Sequence, residues 1–111
     1  MFQSRLRKQA QNLGYEIAIA ATEESVREGM DRSPALVVID LHITGVDWKR
    51  VIEEAQGANV PVLAFGRHTE PHLLRSAREA GCTRVVPRST FVEQLPQLIE
   101  ELAQENHSPA G

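Results

Sequence analysis

Asp40 closes an unbroken apolar run, Leu36-Val37-Val38-Ile39, and stands where a strand would emerge at its carboxyl end. A run without alternation is buried on both faces, as in the central strand of a parallel α/β sheet. Ligands and chemistry gather at the carboxyl edge of such sheets. A carboxylate there can accept a group, hold a cation or pair with a base. His42 and His68 follow neighbouring apolar runs, and two histidines with a carboxylate make a reasonable metal set. Solvated loop histidines are commoner, so no metal is expected. His68 and His72 straddle Pro71 and make a weaker pair. Arg88 follows the last apolar run and is expected to neutralise Asp40 as an ion pair. Cys82, the single cysteine, excludes an internal disulfide and reads as a buried, inert thiol.

The elements that would position these residues alternate along the chain. Phe2, Leu6, Ala10 and Leu13 share one helical face, with Arg5, Arg7, Lys8 and Gln11 solvated opposite and Gly14 as the C-terminal cap. Tyr15 to Ala20 alternates as a short edge strand, with Ile17 and Ile19 on one side. Thr22 caps a second helix with Glu23 and Glu24 in its first turn and Val26 and Met30 as its apolar face. Ser33-Pro34 breaks it before the central strand. Asp47 to Ala55 forms a third helix ended by Gly57, and Val60 to Phe65 a second buried strand. Glu70-Pro71 opens a fourth helix with Leu73, Leu74, Ala77 and Ala80 buried and Gly81 as cap. Thr83 to Val86 is the last strand. Thr90 and Glu93 are spaced as a capping box for a final helix. Pro96 costs a helix interior about 3 kcal/mol, which predicts a separate turn at Phe91 to Leu95 and a regular helix from near Pro96. The fold class is α/β, a parallel sheet flanked by helices.

At 111 residues the chain makes one domain, expected over residues 1–105, with a disordered tail at 106–111. Charged residues are 24% of the chain, the net charge is −3, and no basic stripe marks a nucleic-acid surface. No apolar stretch is long enough for a membrane span, and the polar first residues do not make a secretory signal. A lone cysteine suits the cytoplasm.

From Phe2 to about Gln104 the chain resembles the receiver domain of bacterial response regulators, a five-stranded flavodoxin-like fold of two-component systems. Pro34 precedes Asp40 by six residues, and Leu41, Gly45 and Asp47 follow it as in the family's acceptor turn. Pro61-Val62-Leu63 and the run Ala77-Arg78-Glu79-Ala80-Gly81-Cys82 also match. The resemblance makes Asp40 the phospho-acceptor equivalent. It departs elsewhere: the family's first strand and its two magnesium-binding acids are missing. The switch Thr or Ser falls on Gly66, the switch aromatic on Val85, and the Lys-Pro pair on Arg88-Ser89. Phosphoryl transfer needs a divalent cation and a second positive group to stabilise the transferred charge. Asp40 is therefore expected to be inactive, with no catalytic residues and no cofactor.

Two functions follow from the resemblance. The first is a stand-alone pseudo-receiver, a non-phosphorylated protein-binding regulatory module. The second is a phospho-accepting receiver using Asp40 and magnesium, with its first strand and acidic pair upstream of a misassigned start. The missing Gly66 hydroxyl and Val85 ring favour the first. Family usage places the partner contact on the fourth helix, last strand and final helix, where Arg75, Arg78, Arg84, Arg88 and Gln94 would form a polar rim. Trp48, after the acceptor turn, reads either as an exposed binding anchor or as packing over the third helix. Nucleic acid and membrane are not expected partners. In the family's sheet order the missing strand lies between Tyr15–Ala20 and Leu36–Asp40. The chain is therefore expected to close these two into a four-stranded sheet, marginally stable and prone to self-association.

Overall fold

Four short apolar strands, each too short to hold its own fold, stack into one parallel sheet in the order β1-β2-β3-β4. The computed structural model describes the backbone of residues 2–107 and the side chains of residues 6–104. The strands are β1 (Ile17–Ala20), β2 (Leu36–Asp40), β3 (Val62–Gly66) and β4 (Arg84–Pro87). β1 pairs directly with β2, Ile17 against Leu36 through Ala20 against Ile39, as the four-stranded closure requires. The strands advance in one direction, so this sheet has no reversal of strand order and no topological switch point.

Helices cover both faces. Of α1 (Phe2–Asn12), α2 (Glu23–Asp31), α3 (Trp48–Gly57), α4 (Pro71–Ala80), α5 (Arg88–Glu93) and α6 (Leu95–His107), α2, α3 and α4 share one face. Their core there joins Val26, Val51, Ile52, Leu74 and Ala77 to Ala18, Val37, Ile39, Ala64 and Val85. The opposite core joins Leu6 and Ala10 of α1 and Phe91, Leu98, Ile99 and Leu102 of α5 and α6 to Ile17, Val38, Leu63 and Phe65. Successive side chains of each strand alternate between these two cores, as the pleat dictates.

Most ends fall where local chemistry puts them. Thr22 caps α2 and accepts from the Ser25 N–H, while the Ser25 hydroxyl reaches back to the Thr22 N–H at 2.9 Å. Pro71 opens α4 and Gly81 closes it in the left-handed conformation. Four expectations need correction. α3 runs through Gly57, and the chain reverses at Asn59, whose φ is +59°; an Asn tolerates that conformation. The Thr90–Glu93 capping box does not form, because α5 starts directly at Arg88 after Pro87 and places Thr90 inside the helix. The break before Pro96 is real but lies at Gln94, with Pro96 in the first turn of α6, where a missing N–H costs little. Asn106 and His107 continue α6 rather than opening a tail; residues 108–111, and the side chains of Phe2 and Arg5, lie outside the described residues.

Candidate functional site at the carboxyl edge of the sheet

The loop after β2 is built by the residues that carry the resemblance, and each has a structural task. Asp40 Oδ1 accepts from the His42 N–H at 2.9 Å, and the Ile43 N–H donates to the Asp40 carbonyl at 3.1 Å, so the chain turns at once. Leu41 extends the pairing, its N–H donating to the Phe65 carbonyl, and its side chain is buried. Gly45 sits at φ +83°, a conformation costly for a side-chain-bearing residue. Asp47 caps α3 by accepting from the Lys49 and Arg50 N–H groups.

Asp40 is half-buried at the mouth of the sheet. The expected ion pair with Arg88 is absent: the described contact of the Asp40 carboxylate is the His42 N–H. The physical reason is proximity along the chain, since a turn two residues away satisfies the carboxylate without ordering a long arginine side chain. Arg88 itself is exposed at the start of α5.

His42 is the residue whose role the sequence did not disclose. Its Nε2 accepts from the Arg67 N–H at 3.0 Å, so that nitrogen carries a lone pair. Nδ1 is then the protonated nitrogen, and it lies 3.3 Å from Glu70 Oε2. The imidazole is a strut from the β2–α3 loop to the β3–α4 loop. Nothing local links His42 to Arg67 and Glu70. Only the parallel pairing of Asp40 with Phe65 brings the two loops side by side.

Gly66 ends β3 beneath this strut. A Cβ there would lie 3.5 Å from His42 Nε2, 3.5 Å from Leu41 Cδ1 and 3.3 Å from Leu74 Cδ2. The imidazole thus fills the space into which a side chain at Gly66 would grow. Val85 is buried in the core against α4, and His68 is exposed and does not join Asp40 and His42. Among the described residues no group of three or more His, Cys, Asp or Glu is placed to share a metal ion.

The remaining candidates are placed as follows. Arg75, Arg78, Arg84, Arg88 and Gln94 are all exposed, with Arg84 3.7 Å from Glu101 of α6. Val92, one helical turn after Arg88, is the exposed large apolar side chain of the described residues, at 37%. Trp48 is half-buried and packs on the core under α3, with Lys49 Nζ 5.8 Å from its ring centre, so the packing reading holds over the free anchor. Cys82 is half-buried against the same core, and burial pushes its thiol up to about 11, which leaves it unreactive at neutral pH.

No protein-family model matches the sequence, and no curated protein matches it. Solved structures do. The receiver domain of NtrX from Brucella abortus superimposes with a TM-score of 0.73 at 20% identity, over 93% of this chain and 90% of that one. A longer NtrX chain from the same organism gives 0.75 at 20% identity, over 96% of this chain and 25% of that one. The signal receiver domain of NarL from Mycobacterium tuberculosis gives 0.65 at 13% identity, over 93% and 87%. The chain has the α/β, flavodoxin-like fold of response-regulator receiver domains. No helix among the described residues is long and apolar enough to cross a membrane.

Proposed function

We propose that this protein is a pseudo-receiver: a cytoplasmic, non-phosphorylated protein-binding module of bacterial signal transduction, without enzymatic activity. The observation that carries the reading is the His42 strut, which occupies the space beside Gly66 while Asp40 is turned onto its own loop. A phosphoryl group on Asp40 would bring concentrated negative charge to this edge, and its stabilisation needs a divalent cation and a mobile donor. Magnesium prefers octahedral oxygen ligands. Ala20, Ala21, Ile43 and Phe65 stand beside Asp40 without a side-chain oxygen among them, and the His42 imidazole stands at Gly66 on the other face of the sheet. That donor set does not fit the ion, and Gly66 offers no hydroxyl to follow a phosphoryl group. Acetyl phosphate, or beryllofluoride with magnesium, is expected to leave the intact mass and amide spectrum of the protein unchanged. A stoichiometric gain of one phosphoryl group that disappears in Asp40→Asn would establish a phospho-accepting receiver instead.

The partner surface of this module is the face of α4, β4 and α5. Arg75, Arg78, Arg84, Arg88 and Gln94 rim it, and Val92 supplies an apolar point one turn from Arg88. Depletion of charge around an apolar point is how contact surfaces are organised, with the charged rim steering approach. Arg84→Glu removes only an exposed pair with Glu101, worth little to the fold. It should leave the melting temperature within about 2 °C of the parent's, as surface changes do, while weakening a partner isolated from the native host. Normal binding by this variant, with loss of binding on changes around Trp48, would move the surface to α3.

A further inference from the structure

The Asp40 side chain points to the α1 side of the sheet, in line with Leu36 and Val38. There it lines a crevice of about 70 Å³ with Leu6, Ile19, Val38, Ile43 and Phe65. A single water needs about 10–15 Å³ of such space, so the crevice is several waters large. Its walls give water almost no hydrogen-bond partner, so a polar filling is poorly held. At its rim stands one carboxylate. One oxygen is held by the His42 N–H, and no cation from the described residues is paired with the group.

An apolar slot ending in an uncompensated carboxylate is complementary to an alkyl chain ending in a cation. A lysine side chain has that form, with methylenes that bury along apolar walls and a compact ammonium at the tip. Arginine fits less well. Its flat fork carries five donors, and the crevice offers one carboxylate and hydrocarbon walls to receive them. We propose that the crevice beside Asp40 takes a lysine side chain of the partner protein, with its ammonium on the Asp40 carboxylate. The inference rests on the protein-binding reading above and adds its point of entry at the carboxyl edge of the sheet. It gives Asp40 a task that needs neither a metal ion nor a phosphoryl group. The acid is retained as one half of an intermolecular ion pair whose other half arrives with the partner.

The test is an amide ¹H–¹⁵N titration of the full chain with three probes: an acetylated, amidated peptide containing one lysine, the same peptide with norleucine, and n-butylammonium chloride. The lysine peptide should give saturable shifts centred on Ala20, Ala21, Asp40 and Ile43. Norleucine should bind about tenfold more weakly or worse, the weight of one charge-assisted hydrogen bond. Asp40→Asn, with its unchanged spectrum elsewhere confirming the fold, should lose affinity by a similar factor. Equal binding of the norleucine peptide, full binding by Asp40→Asn, or no shift at the highest soluble concentration each overturns the proposal. So does binding of n-butylammonium without the lysine peptide, since that marks a slot closed to a chain-borne lysine. None of these outcomes bears on the acetyl phosphate result or on Arg84→Glu, so the wider reading stands or falls separately.

Discussion

Phe91→Ala should lower the free energy of unfolding by about 3–5 kcal/mol, the usual cost of deleting a buried aromatic ring. Phe91 is fully buried, and its ring stacks on Phe65 of β3 with centroids 4.1 Å apart and planes 18° from parallel. α5 has six residues, far fewer than the 12–15 or so at which an isolated helix is even marginal in water. Its position therefore depends on this anchor, and α6 follows directly from it. Against a typical domain stability of about 5–15 kcal/mol, the loss would leave much of the population unfolded at 37 °C. Urea unfolding followed by far-UV circular dichroism measures it. Phe65→Ala in a double-mutant cycle should return a coupling of about 0.5–1.5 kcal/mol for the stacked pair. A loss below about 1 kcal/mol for Phe91→Ala, far outside the range for buried rings, would mean that the stack is not what holds α5 to the sheet.

Gly29→Ala carries the second large effect, and its sign opposes intuition. In an exposed helix interior the change stabilises by about 1 kcal/mol. Here a Cβ on Gly29 would lie 2.6 Å from Ala18 Cβ and 3.0 Å from Ala18 Cα, a contact that real Cβ atoms do not make. α2 must therefore lift away from β1. Overpacking of this kind costs about 1–3 kcal/mol, and a larger side chain such as leucine should prevent the native packing altogether. The Ala18→Gly, Gly29→Ala double variant moves the methyl group from strand to helix and should recover most of the loss. Thermal unfolding of the four proteins decides it; a Gly29→Ala protein that melts above the parent would refute the close approach. The position matters because β1 is the edge strand, and α2 is what covers its Ala18 and Ala20 face.

Edge strands invite pairing with other chains, and β1 carries no charge or proline to discourage it. The Val37 and Leu41 N–H groups donate to Pro61, just before β3, and to Phe65 within it, so the alternating residues of β2 turn their backbone groups to β1 and leave those of Ile17 and Ile19 facing outward. The Ile19 carbonyl is not open: it accepts from the Ser25 hydroxyl and the Ala21 N–H, each at 2.9 Å. One of the two outward carbonyls of the edge is thus closed, in part by the residue that also completes the α2 capping box.

How much of this was legible beforehand follows from the range of the forces involved. Unbroken apolar runs marked β2 and β3, and 3.6-residue spacing marked the buried faces of α2, α3 and α4. Proline, glycine and capping residues marked most ends. Each of these signals is local, read within one turn or one strand. Asp40, Leu41, Gly45 and Asp47 announced the loop for the same reason, because a tight turn, a left-handed residue and a helix cap are demands on single positions. Charge and shared placement at the sheet edge suggest that Asp40 pairs with Arg88, and there the inference fails, since a backbone donor two residues away takes the carboxylate and no cation among the described residues pairs with it. The His42 strut and the crevice under Asp40 were invisible in the sequence. Both depend on which strand ends lie side by side and how deep α1 sits on the sheet. Strand pairing decides the first and packing of Leu6 against Ile19, Val38 and Phe65 the second. These are sums over residues distant in the chain, and no spacing within it encodes them.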